Sequence, residues 1–121
     1  HRRSDRNWLS IFDGAAAGTV LIGRKPESES FLERCGWQDA VIDIESDGSD
    51  LTAVLSRLWG QPERRLEISR RNSVESLLRH DWVYRWKEIL SIAGLKPRAA
   101  MEERERRLKK IAEAAKKGEE E

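Results

Sequence analysis

Two short apolar runs, Thr19–Gly23 (TVLIG) and Ala40–Ile44 (AVIDI), restrict the folds open to this chain more than any other feature. Both are rich in β-branched residues and too short for an ordinary helix, and the first lacks the polar alternation of a strand with one wet face. The first reads as a strand buried on both faces, as in a parallel sheet, and the second as another strand candidate. Between them Phe31, Leu32 and Cys35 make a short helical stretch that Gly36 ends. Pro26, Glu27 and Glu29 suit its first turn, where proline is tolerated and the helix dipole favours acids. A right-handed crossover joins such a unit, so Thr19–Ile22 and Val41–Ile44 are expected to be parallel neighbours. The turn-rich stretch 45–50, with Asp47-Gly48, competes as a hairpin. The residues after it decide against the hairpin, because Leu51, Val54, Leu55 and Leu58 recur at helical spacing behind Ser49 or Asp50 as caps.

The flanks are helical. Trp8, Leu9, Ile11, Phe12 and Ala15–Ala17 form a run that Ser4 or Asp5 can cap and Gly18 closes in the left-handed conformation. Beyond Gly60 and Pro62, Leu66, Val74, Leu77 and Leu78 give a looser helical stripe that breaks near His80-Asp81, where Asp81 can cap the next helix. Trp82, Val83, Trp86, Ile89, Leu90 and Ala93 then make the cleanest amphipathic face in the chain, ended by Gly94 and Pro97. Residues 98–121 are mostly charged and read as an exposed helix or tail. Glu102 with Arg106, Glu103 with Arg107, Glu105 with Lys109 and Glu113 with Lys117 are i,i+4 pairs worth about 0.2–0.5 kcal/mol each. That is too little to hold a lone helix, so it is expected either to need a neighbour or to fray beyond Ala115. The fold class is α/β: a partial Rossmann-like unit with two short parallel strands and a helical C-terminal half.

Composition narrows the function. The 121 residues allow one domain, and 23 basic against 22 acidic side chains give a net charge of +1, unlike a nucleic-acid binder with its large positive excess. Arg70-Arg71, Arg79, Arg85 and five tryptophans do not alter this, since the arginines alternate with acids and the tryptophans fall mainly on apolar faces, as packing residues do. No apolar run approaches the roughly 18–20 residues of a membrane span. The single cysteine, Cys35, excludes an intrachain disulfide and fits a reducing, cytoplasmic compartment. It reads as a small buried apolar residue without a local histidine partner. His80-Asp81 reads as a helix junction rather than a catalytic pair, and no residues show metal-ligand spacing. The chain begins at His1 and reads as a piece of a longer protein.

In open parallel sheets ligands bind at the carboxyl ends of strands. Gly23, Arg24 and Lys25 stand at such an end and can offer amides and two cations to a phosphate; a solvated surface loop is the plain alternative. Asp13, beside Gly14 in an otherwise apolar run, is either a ligand-facing acid or an idle one at the solvent edge of its helix.

The runs DRNWLSIFDGAAAGTVLIG (5–23), GRKPESESFLERCGWQDAVID (23–43), PERRLEISRRN (62–72) and above all RHDWVYRWKEILSIAGL (79–95) resemble, in this order, the C-terminal part of bacterial GT-B glycosyltransferases, the group that includes the spore-maturation CgeB-like proteins. The resemblance covers residues 5–97. In that superfamily two glutamates precede a small-residue helix and a glycine, and the second holds the donor nucleotide's ribose. Asp5 and Asp13 occupy those places here, each one methylene shorter. The resemblance therefore implies a nucleoside diphosphate sugar as donor, Asp5, Asp13, Gly23, Arg24 and Lys25 as donor-binding residues, and no metal or other cofactor. It further implies that an N-terminal domain, absent from this sequence, completes the enzyme and packs near Trp82 and Trp86. The rival expectation is a non-catalytic helical interaction module. An uncovered tryptophan face should self-associate or take the charged C-terminal helix as its cover.

Overall fold

The computed structural model describes residues 8–118. Six helices and two strands run in the order α1 (Trp8–Ala16), β1 (Ile22–Gly23), α2 (Glu29–Cys35), β2 (Ile42–Asp43), α3 (Leu51–Trp59), α4 (Pro62–Arg79), α5 (Trp82–Ile92) and α6 (Ala99–Lys117). The strands pair in parallel, Ile22 opposite Ile42 and Gly23 opposite Asp43. The amide of Ile42 donates to Leu21 O (2.8 Å) and that of Ile44 to Gly23 O (3.2 Å). The expected parallel pair is present and the hairpin is not: the turn at Gly48 leads straight into α3. Both strands are shorter than expected, and β1 lies at the far end of its apolar run.

Period-two alternation places successive apolar residues of these runs on opposite faces, with Asp43 left exposed. Leu21 and Val41 face a core of Ala15, Phe31, Cys35, Trp37 and Ala40 contributed by α1, α2 and the loop after it. Their neighbours Val20, Ile22, Ile42 and Ile44 face the other way, onto Val54 and Leu58 of α3 and Ile68 of α4. The strands thus lie between two helical layers that cover them in part, with Ile22, Gly23 and Ile42 half-buried and Asp43 exposed.

Helix ends depart from the sequence reading in detail. α2 starts at Glu29, with the Ser28 hydroxyl accepting from the Phe31 amide (3.3 Å), so Pro26 and Glu27 precede the helix instead of forming its first turn. Asp50 stands at the start of α3 but makes no side-chain cap. Its carboxylate accepts instead from the Glu45 amide (2.9 Å), closing the loop behind it. The last carbonyls of α3, on Leu58 and Trp59, are taken by Arg65 of α4 (2.5 and 2.6 Å). Asp81 caps α5 as expected, accepting from the Val83 amide (2.9 Å). The Ser4 or Asp5 cap falls outside the described residues.

Gly18 ends α1 at φ +70°, and a Cβ there would stand 2.8 Å from Ser73 Oγ and 2.9 Å from Ser69 Oγ on α4. The glycine is needed for both the turn and the close α1–α4 approach. Gly18→Ala should lower stability by about 1–3 kcal/mol, read as a shift of the urea unfolding midpoint. An unchanged midpoint would mean that the turn and α4 both yield at little cost.

The C-terminal half differs more from expectation. α6 continues to Lys117 and packs mainly along α4, burying Leu108 and Ala112, with a smaller contact on α5. Arg104 grips Asp81 with both Nε (2.8 Å) and a terminal nitrogen (2.6 Å), and Lys87 of α5 pairs with Glu105. Of the four anticipated i,i+4 pairs only Glu105–Lys109 forms; Glu103 and Glu113 reach Arg106 and Lys116 at i,i+3. α6 does not cover the tryptophan face. Trp82 (74% exposed), Trp86 (54%) and Ile89 (51%) stay in the open, and α5 anchors itself through buried Val83 and a Tyr84 hydroxyl donating to Leu77 O (3.0 Å). Apolar periodicity identified the helix correctly; which apolar residues are covered depends on what α4 and α6 leave accessible. Trp59 is also exposed, whereas Trp37 is buried.

Candidate functional site

α1 turns Ile11, Phe12 and Ala15 towards the first core, which leaves Asp13 outside it and exposed. The Asp13 carboxylate borders a cavity of about 300 Å³ between α1, the end of α4, the start of α5 and α6. Ser73, Ser76, His80, Asp81 and Trp82 share its wall, and Leu108 closes one side. Ser76 is 5% exposed, and its Oγ has no hydrogen-bond partner among the described residues. A buried hydroxyl without a partner is costly and unusual, and here it lines a cavity. Asp81 is already committed: the Arg104 guanidinium, more than the Val83 amide, holds its carboxyl below the ordinary value. The polar side chains left for a ligand are the carboxylate of Asp13 and the hydroxyls of Ser76 and Ser73.

His80, the C-cap of α4, also lines this cavity. Its ring lies 4.5 Å from that of Phe12 and 5.7 Å from that of Trp37, centroid to centroid, and Nε2 is 3.6 Å from Cys35 Sγ. Burial, then the cations of Arg85, Arg79 and Arg34, push the imidazole pKa down to about 4, against a hydrogen bond to the Arg34 backbone. Burial pushes the Cys35 thiol up to about 11. At neutral pH both groups are therefore uncharged. A thiolate–imidazolium nucleophile needs the opposite shifts, so this Cys–His contact is a packed pair and not a catalytic dyad.

The strand-end residues stand elsewhere. Gly23, Arg24 and Lys25 lie at the carboxyl end of β1, and none of them lines the Asp13 cavity. The Lys25 amide donates to Asp43 Oδ1 (2.7 Å), so the amide expected to face a phosphate already has a carboxylate on it. Arg24 is exposed, and the space around the Gly23 Cα is open. Asp5 lies outside the described residues. A wider cavity of about 510 Å³, along α4 near Lys116, is lined by Glu63, Glu67 and Glu75 against Arg70, Arg71 and Lys116. With its charges balanced and Arg71 already paired to Glu67 (2.5 Å), it makes a weaker candidate. No cluster of three or more His, Cys, Asp or Glu side chains suited to a metal occurs among the described residues, and none of their helices is long and apolar enough to cross a membrane.

No protein-family model, curated protein or solved structure matches the chain. Sequence reading found Asp13 but missed Ser76 and the Cys35–His80 contact, whose partners are 45 positions apart. The only hint was that both come directly after an arginine, Arg34-Cys35 and Arg79-His80. Nothing in spacing pointed to Ser76, an ordinary serine on a polar helix.

Proposed function

We propose that this chain is the donor-binding part of a cytoplasmic GT-B-type glycosyltransferase that moves a sugar from a nucleoside diphosphate carrier to an acceptor. The observation that carries this reading is Asp13, an exposed carboxylate at the mouth of a cavity, on a helix whose glycine-ended turn leads into the first strand of a parallel pair. A carboxylate so placed accepts from two vicinal hydroxyls, as a ribose presents, and Ser76 offers a further polar contact deeper in. The order α1-β1-α2-β2-α3 supports a Rossmann-like unit. Arg24 and Lys25 supply positive charge at the strand end, where a leaving diphosphate would be stabilised electrostatically. The acceptor side belongs to the separate domain that the resemblance implies.

Amide resonances of the labelled chain, titrated with UDP, GDP and dTDP, should shift around Asp13 and Ser76 at millimolar nucleotide. Asp13→Ala should weaken binding roughly 10- to 150-fold, the loss of a charge-assisted hydrogen bond, and Asp13→Glu should retain it. No shift with any nucleotide, or equal affinity in Asp13→Ala, would remove the donor site from this cavity.

A specific observation favours a second reading, the helical interaction module. Trp82, Trp86 and Ile89, together with Ile92 (88% exposed) and Leu95 (60%), leave the α5 side of the molecule largely apolar and open, and such surfaces usually find partners. Concentration-dependent sedimentation that Trp86→Glu abolishes, together with no nucleotide response, would favour the module over the transferase.

A further inference from the structure

His80 also lines a second cavity, of about 290 Å³, together with Arg34, Arg79, Arg85, Glu33 and Glu88. Its three guanidiniums come from three elements: the last turn of α2, the last turn of α4, and α5. Arginines suit the ends of α2 and α4, where the helix dipole favours cations; their convergence on one cavity is a consequence of the fold.

We propose that Arg34, Arg79 and Arg85 form a binding site for a phosphate group, inorganic or carried by a small phosphomonoester, with His80 as its inner wall. The proposal is independent of the donor-site reading and needs no sugar or nucleotide.

Three observations support it. Arg34 makes no ion pair among the described residues. Arg79 pairs with the partly buried Glu75 (2.6 Å) and lies over the Trp37 ring, while Arg85 pairs with the exposed Glu88 (3.2 Å) and donates to the Arg79 carbonyl (3.3 Å). An exposed pair contributes little to stability, so Arg85 can exchange Glu88 for a better acceptor. Electrostatically, the same three cations act on His80 and on Cys35, and no carboxylate counts among the charges felt by either group. Geometrically, a phosphate has more oxygens than a carboxylate and can accept from several guanidinium forks at once. The cavity lies at the small end of the usual ligand-pocket range of about 300–1,000 Å³, which fits a phosphate group and not a whole nucleotide sugar.

The test uses His80 as the reporter and sulfate as the probe, because sulfate is tetrahedral and remains a dianion throughout the titration. Imidazole resonances of the full chain are followed against pH in sodium sulfate and in sodium chloride at equal ionic strength. The His80 midpoint should rise by about 1–3 pH units in sulfate and stay near 4 in chloride. Arg34→Gln should abolish the difference between the salts, and Arg85→Gln, read in the same way, decides the matter if Arg34→Gln does not fold. At pH 7, inorganic phosphate and phenyl phosphate are compared by calorimetry. Equal affinities assign the site to free phosphate, and tighter binding of the ester assigns it to a phosphorylated small molecule. The same midpoint in both salts, or a sulfate response that survives loss of Arg34 or Arg85, overturns the proposal.

Discussion

Asn72→Ala should cost the protein about 2–4 kcal/mol, a large share of the 5–15 kcal/mol that holds a typical domain together. Asn72 lies mid-way along α4, is 0% exposed, and is the only fully buried amide side chain in the described core. Its Oδ1 accepts from the Trp37 indole N–H (2.8 Å), and its Nδ2 donates to the Thr19 carbonyl (2.8 Å). One side chain thus ties α4 to the segment entering β1 and to the loop leaving α2. Removing it strands the buried indole donor, at about 1–3 kcal/mol, while the half-buried Thr19 carbonyl can recover water and loses about 0.5–1.5 kcal/mol. Asn72→Leu separates this cost from that of a cavity, since leucine fills the space and still leaves both partners unmet. Urea unfolding of the two variants should show both well below the wild type. A loss under about 1 kcal/mol in each would mean that Trp37 and Thr19 find other partners, and Asn72 would no longer be the clamp of the fold.

How legible the molecule was in its sequence depends on the range of the interactions involved. β1, β2, α1 and α3 rest on local patterns, namely apolar runs bounded by glycine and leucines at helical spacing, and these were readable. Asp81 as the cap of α5 was readable for the same reason, because a cap acts within three residues. The course of α6 was not. It is fixed by Leu108 and Ala112 settling on α4 and by Arg104 reaching Asp81, contacts that no periodicity encodes. The tryptophan face of α5 shows the limit most plainly. Helical spacing put Trp82, Trp86 and Ile89 on one stripe, but burial depends on a neighbouring surface, and α6 covers α4 instead. At the candidate site Asp13 stood out as an acid in an apolar run. Ser76 and the three arginines around His80 meet their surroundings only through tertiary packing.

The second large effect is a loss of stability in mild acid, controlled by His80. In the unfolded chain a histidine takes up its proton near pH 6.5, whereas the folded protein resists protonation until about pH 4, first because the ring is buried and then because Arg85, Arg79 and Arg34 repel a further charge. Between those values the unfolded state binds the extra proton, so stability falls as pH falls. The full contribution of the neutral ring is present above pH 6.5, declines through the window, and is gone below about pH 4. The whole displacement would correspond to about 3 kcal/mol; the ring keeps part of its surface in water, which reduces the expected loss to about 1–2 kcal/mol. Asp81 and Glu105, whose carboxyls Arg104 and Lys109 hold below their ordinary values, lose their pairing only at lower pH. The stretch from pH 6.5 to 5 is therefore governed by His80. Urea unfolding at pH 7.5, 6 and 5 should show a progressive loss in the wild type, and His80→Phe, which keeps an aromatic ring against Phe12 and Trp37 but cannot titrate, should remain nearly level. A wild type as stable at pH 5 as at pH 7.5, or a His80→Phe variant with the same slope, would show that the imidazole is open to water and that the packing of Cys35, Phe12 and Trp37 does not seal it.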